Sequence, residues 1–168
     1  MREGLLSRSW RHLLTDDADV RRTFPEAAMQ RIEAAIVAGE ATHRGQVCIA
    51  IEPALPLARV ARRLTPRERA LEVFAAMRVW DTEENNGVLV YLLLADRDVE
   101  IVADRGIHAR VGDAAWEAVC QRMESAFREH RFVDGLETGV REVSELIARH
   151  FSGDAGDRDE LPNKPLLL

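Results

Sequence analysis

The chain has 168 residues, 46% of them apolar and 31% charged, proportions that suit one globular domain with a core of its own. A formal net charge of −6 excludes a general nucleic-acid-binding surface. The longest strongly apolar run, Val88 to Ala95, falls far short of the roughly 20 residues of a membrane-spanning helix, so no transmembrane segment is expected.

The stretch from Met1 to Arg11 is too charged for the apolar region of a signal peptide, and the expected location is the cytoplasm. Leu5, Leu6, Trp10, Leu13 and Leu14 recur at helical spacing and predict a short first helix whose apolar stripe packs on the domain. Because Arg2, Arg8 and Arg11 flank the stripe, a helix lying on a membrane surface is the rival reading. Asp16, Asp17 and Asp19 then interrupt the pattern. Thr23-Phe24-Pro25-Glu26 fits a capping box with Thr23 as N-cap, followed by a helix with Met29, Ile32 and Ile36 on one face that ends near Gly39 or runs to His43.

Gln46 to Glu52 is a buried strand stopped by Pro53 and Pro56. Thr65-Pro66-Arg67-Glu68 is a second capping box with proline at the first helical position, and Leu71, Phe74 and Ala75 supply that helix's inner face as far as Trp80. The polar loop Asp81 to Asn86 leads into the apolar strand Val88 to Ala95. A charged turn follows, then an alternating strand, Val99 to Ala103, exposed on one side. Asp113 is the expected N-cap of a helix striped by Trp116, Val119, Cys120, Met123 and Phe127, and Leu136, Val140, Val143 and Ile147 mark the last helix. Cys48 and Cys120 lack metal or disulfide spacing and are expected as reduced core residues.

Helices before, between and after a few strands predict a three-layer α/β/α sandwich around a small mixed sheet. Residues 1–22 form an N-terminal helical extension, 23–151 the sandwich and 152–168 an extended tail. Leu161, Leu166, Leu167 and Leu168 in the tail either dock on their own domain or add to a partner's surface as an extended peptide. The strand–helix–strand unit is a right-handed crossover with parallel strands, and the next strand returns antiparallel.

That topology gathers one rim. Arg44 and Gly45 start the first strand beside Asn86 and Gly87, while Asp104, Arg105 and Gly106 return to the same end. Glu52 falls at the opposite end. The candidate ligands of a divalent cation are Asp81, Glu84, Asn85, Asn86 and Asp104, because carboxylate and amide oxygens suit calcium or magnesium; Arg44, Arg105 and His108 are candidate contacts for an anion or a partner. The same residues also make sense as a solvated acidic loop. The spacing is not that of an EF-hand, and no Gly-rich phosphate loop, Cys-x5-Arg signature or Asp-x-Asp pair accompanies it.

Trp80-Asp81 through Asn86-Gly87-Val88-Leu89, the hairpin, and the glycine after Val102-Ala103-Asp104-Arg105 resemble the TPM domain family, as do Ala70 to Phe74, Phe127-Arg128, Phe132 and Gly135. The resemblance covers roughly residues 23 to 151. It implies a TPM-like α/β/α sandwich. Its members include phosphatases of modest activity, calcium binders, and assembly or repair factors of membrane complexes. The sequence departs from the family pattern at Val79-Trp80-Asp81-Thr82, which lacks the usual glycines, and at Asn85, where an acid is usual. The expected function is a non-enzymatic binding or assembly domain. It would hold calcium or magnesium weakly at residues 81–86 and 104–106 and engage an unidentified protein partner of an envelope-associated system. The alternative is a metal-assisted phosphatase of low activity at the same rim.

Overall fold

The computed structural model describes residues 4–153 and 161–168. The chain runs α1 (Leu5–Leu14), α2 (Asp17–Thr23), α3 (Glu26–Glu40), β1 (Gln46–Glu52), α4 (Leu57–Ala61), α5 (Pro66–Ala76) and β2 (Gly87–Leu93). A 3₁₀ turn (Leu94–Asp96) leads to β3 (Asp98–Ala103), followed by α6 (Arg105–Val111), α7 (Asp113–Arg128), α8 (Phe132–His150) and β4 (Leu166–Leu167). The sheet order is β3-β2-β1-β4; β1 is parallel to β2 and to β4, and β2 is antiparallel to β3. This is the mixed-sheet α/β/α sandwich expected from the order of elements.

Every residue of β1 and β2 is buried, because helices cover both faces and the two-residue period splits the side chains between them. Val47, Ile49, Ile51, Val88, Val90 and Leu92 join one core cluster with residues of α3, α7 and α8. Cys48, Ala50, Leu89, Tyr91 and Leu93 join another with residues of α4 and α5. No described helix is long and apolar enough to cross a membrane. Cys48 and Cys120 are free, and burial pushes both thiols up to about 12, so neither is a ready nucleophile at neutral pH.

Several local expectations are corrected. Thr23 does not cap α3: the chain is still helical there, and Pro25 takes the N-cap position. The capping box lies one helix earlier. Asp16 accepts from the Ala18 and Asp19 amides and Asp19 accepts from the Asp16 amide, so the acids that seemed to interrupt a pattern instead start α2. The Thr65 and Glu68 box forms as expected. The inner face of α5 is rotated from the expected one: Ala70 and Val73 are buried, with Phe74 and Met77 packed beside them, while Leu71 and Ala75 point outward. Small residues at 70 and 73 let the helix approach the sheet. Asp113 does not cap α7; Gly112 holds that position, and α6 precedes it as an additional helix.

The largest correction concerns α1. Its apolar stripe faces away from the domain, and its polar face docks. Arg8 and Arg11 bond Asp96 in the 3₁₀ turn, and Arg11 also reaches the Ala95 carbonyl. His12 Nδ1 accepts the Leu55 amide, which leaves the ring proton on Nε2 facing Asp96 Oδ1 at 3.1 Å. Burial pushes the Asp96 carboxyl up, but hydrogen bonds from His12 and Arg8 together with the Arg8 charge outweigh that and hold it well below the usual carboxylate range. A half-buried acid and three polar partners therefore outrank the apolar stripe in seating this helix.

Of the expected tail, Asp154 to Glu160 lies outside the described residues. Leu161 is buried in the α4–α5 side of the core, and Leu166–Leu167 pairs in parallel with Ala50 and Ile51. The tail thus covers one end of the β1 edge. Farther along that edge, Glu40 Oε1 accepts the Val47 amide at 3.0 Å, which satisfies a donor that would otherwise be left open.

Candidate functional site

The rim forms where β1 and β2 begin and β3 ends. Gln46 pairs with Gly87, and the Asp104 amide donates to the Gly87 carbonyl at 2.9 Å, so three strand ends meet there. Asn86 ties them together. Its side-chain Nδ2 donates to the Arg44 carbonyl at 2.8 Å, its amide donates to Thr82 Oγ1 at 3.1 Å, and its carbonyl accepts the Gln46 amide at 3.3 Å. Asn86 is therefore a structural pin of the rim.

Asn85 sits at φ +53°, a left-handed conformation that asparagine tolerates, and its carbonyl accepts the Ile107 amide. Gly106 makes that approach feasible: a Cβ there would lie 2.5 Å from the Asn85 carbonyl oxygen. Close backbone contact is what requires glycine here.

Asp104 is the N-cap of α6. Its Oδ1 accepts the Arg105 amide at 2.6 Å, while Oδ2 is buried with no hydrogen-bond partner among the described residues. The residue is only 5% exposed. A buried carboxylate oxygen without a donor is costly, and a cation is one way to satisfy it. Asp104 Oδ2 beside the Asn85–Asn86 loop fits a hard cation in its chemistry. However, no group of three or more His, Cys, Asp or Glu able to hold a metal occurs among the described residues. A cation at the rim would draw on amide and carbonyl oxygens and on water to complete its shell.

The other candidates separate. Asp81 is exposed, and its amide closes a turn onto the Arg78 carbonyl. Glu84 pairs with Arg44 at 3.1 Å, so that arginine's charge is partly spent within the rim. Arg105 meets Asp104 through its backbone amide, and its residue is exposed. His108 turns from the rim toward Asp113, 3.4 Å away, and lines a cleft of about 490 Å³ with Arg67, Glu100, Trp116, Cys120 and Glu124. Thr82 was not singled out by the sequence reading; a hydroxyl four residues before Asn86 is the signal, since threonine commonly bonds nearby backbone amides in turns.

At the opposite sheet end, Glu52 accepts from Tyr91 Oη at 2.6 Å and from Arg69 at 2.8 and 3.1 Å. Burial, then the Glu52 hydrogen bond and charge, raise the Tyr91 phenol above its ordinary value. This closed network braces β1 and β2 at the end farthest from the rim.

Among solved structures, the BA42 protein from the psychrophilic bacterium Bizionia argentinensis is similar at 26% identity and a TM-score of 0.74, covering 84% of this chain and 93% of that one. The N-terminal domain of a P. gingivalis protein is similar in fold, at 19% identity and a TM-score of 0.61, covering 75% and 77%. None of the curated proteins matches at a significant level. The sequence profile of the TPM domain matches residues 15–146, a span that takes in α2, the hairpin, the whole rim and most of α8. The chain belongs to the TPM domain family.

Proposed function

We propose that this protein is a non-enzymatic binding or assembly module whose rim holds a divalent cation, calcium or magnesium, weakly and engages another protein. The observation that carries this reading is Asp104 Oδ2, a buried carboxylate oxygen with no donor among the described residues, beside a loop rich in amide and carbonyl oxygens. Weak binding follows from the ligand set. Asn85 contributes no charge, Glu84 is paired with Arg44, and Asp104 is left as the principal anionic ligand. The binding role is favoured over catalysis because Thr82 Oγ1 is occupied by the Asn86 amide and His108 faces Asp113, which leaves no activated nucleophile or base beside Asp104 among the described residues.

Thermal melts in calcium and in chelator test the cation. For a dissociation constant of about 1 mM, calcium at about 10 mM stabilises the fold by about 1.4 kcal/mol and raises Tm by about 4 °C. Asp104→Asn keeps an N-cap side chain and should abolish the rise. An unchanged Tm in the parent chain rejects the cation site. Strong hydrolysis of p-nitrophenyl phosphate, lost in both Asp104→Ala and Arg105→Ala, would replace the binding reading with the metal-assisted phosphatase.

A further inference from the structure

The outward face of α1 is an exposed apolar surface that the rim does not use. Leu6, Trp10 and Leu14 are 87%, 63% and 68% exposed, and Leu13 stands beside them. Leu6, Trp10 and Leu13 follow the four- and three-residue steps that align side chains along one helix face. The exposed Leu57 lies on α4, the helix against which α1 packs.

Rotation cannot bury this face without breaking the clasp on the other side. Arg8 Nε donates to Asp96 Oδ2 at 2.9 Å, Arg11 Nε donates to the Ala95 carbonyl at 2.9 Å, and His12 bridges Asp96 and the Leu55 amide. The helix is amphipathic in the inverted sense: its charges hold the domain and its leucines and tryptophan are presented outward.

Area and charge decide what covers such a face. Ten residues make a helix about 15 Å long. A stable interface between copies buries on the order of 800 Å² per partner, more than a single ridge of that length supplies. A lipid surface sets no such minimum, because a short amphipathic helix lies in the interface plane with leucine and tryptophan at the acyl boundary. Two elements that pack on α1 also carry positive charge with no ion pair among the described residues: Arg62 and Arg63 follow α4, Arg97 follows the 3₁₀ turn, and all three are exposed. Of the acids that follow α1, Asp16 and Asp19 are drawn into the cap of α2.

We propose that α1 is a lipid-contact helix, seating the domain reversibly on an anionic membrane surface through Leu6, Trp10, Leu13 and Leu14, with Arg62, Arg63 and Arg97 facing lipid phosphates. The test uses the whole chain and vesicles of phosphatidylcholine containing about a quarter phosphatidylglycerol. Binding is read by co-sedimentation and by the emission of Trp10, identified through Trp10→Phe. The parent chain should partition onto the vesicles with a blue shift of Trp10. Leu6→Ser combined with Leu14→Ser should lower the partition coefficient on the order of a hundredfold, since each exposed leucine is worth roughly tenfold on burial. Arg62→Gln combined with Arg63→Gln, or about 0.5 M salt, should remove the preference for anionic vesicles. All four positions are exposed, so circular dichroism and the melting curve should be unaffected, which separates loss of binding from loss of fold. A parent chain that sediments with vesicles no better than the double leucine variant overturns the proposal. So does a dimer in sedimentation velocity that the leucine variants abolish while vesicle binding is absent, which would assign the face to a second copy.

Discussion

Asp98 opens β3 directly after the turn that anchors α1, and one of its carboxylate oxygens, Oδ1, is buried without a hydrogen-bond partner among the described residues. Burial first, then the charges of Glu100, Glu124 and Asp96, push its pKa from 3.8 up to about 7 against an opposing pull from Arg8. An acid whose folded pKa is raised binds its proton more tightly in the folded state. Its contribution to stability is therefore fully present below the unfolded value near 4 and is lost as pH climbs through the folded value near 7. A separation of about three units at about 1.4 kcal/mol each bounds the loss at about 4 kcal/mol, and relaxation around a half-buried group lowers the expected figure to about 2 kcal/mol. Asp98→Asn keeps the shape and removes the titration. Urea unfolding should show the variant more stable than the parent by about 2 kcal/mol at about pH 8, with the difference shrinking to under about 1 kcal/mol at about pH 5. A difference that is the same at both pH values, or a variant less stable at the higher one, refutes the argument that an uncompensated carboxylate strains this end of β3.

Asp96→Ala removes the acceptor that Arg8, Arg11 and His12 share; it should cost about 2 kcal/mol and free α1, so that trypsin cleaves at Arg8 and Arg11 far faster than in the parent. Gly106→Ala drives a Cβ into the Asn85 and Glu84 carbonyl oxygens, backbone atoms that cannot step aside without moving the loop; a loss of about 1–3 kcal/mol in urea unfolding is expected, with a smaller calcium-induced rise in Tm. Leu161→Ala should cost about 2–3 kcal/mol, since that side chain is buried in the α4–α5 core cluster; a change within about 0.5 kcal/mol would mean the tail is not docked.

The central sheet was legible in the sequence because its signals are local and redundant. Val47 to Ile51 and Gly87 to Leu93 are unbroken apolar runs bounded by proline, glycine and polar or charged residues, and β3 alternates. Connection rules then gave the parallel and antiparallel pairings, and the rim followed from the pairings. What failed were the choices between two locally acceptable faces. Residues 71, 74 and 75 of α5 are as apolar as 70, 73, 74 and 77, and only the close approach to the sheet selects the second set. On α1 the hydrophobic stripe was visible, but its partner surface was assumed. The deciding residue, Asp96, lies more than 80 positions away in a turn, and no local pattern announces that Arg8, Arg11 and His12 converge on it. At the rim the sequence placed the right strand ends together, but side-chain directions such as His108 turning to Asp113 depend on α6, a short helix whose pattern is too brief to register.

The hairpin fixes how the two proposed contacts can coexist. Gly87 begins β2 at the rim, and Leu93 ends it at the turn that holds α1. Six residue steps at about 3.3 Å place the two sites about 20 Å apart. A domain seated on lipid through α1 would therefore meet the membrane at one end of β2 and a cation at the other. Sites that far apart with no shared side chain should respond additively. Leu6→Ser with Leu14→Ser should leave the calcium-induced rise in Tm intact, and Asp104→Asn should leave vesicle partition unchanged. Coupling between them, seen as calcium altering vesicle affinity in the absence of any aggregation, would require β2 and β3 to shift as a body, and the double cycle of these variants would measure it.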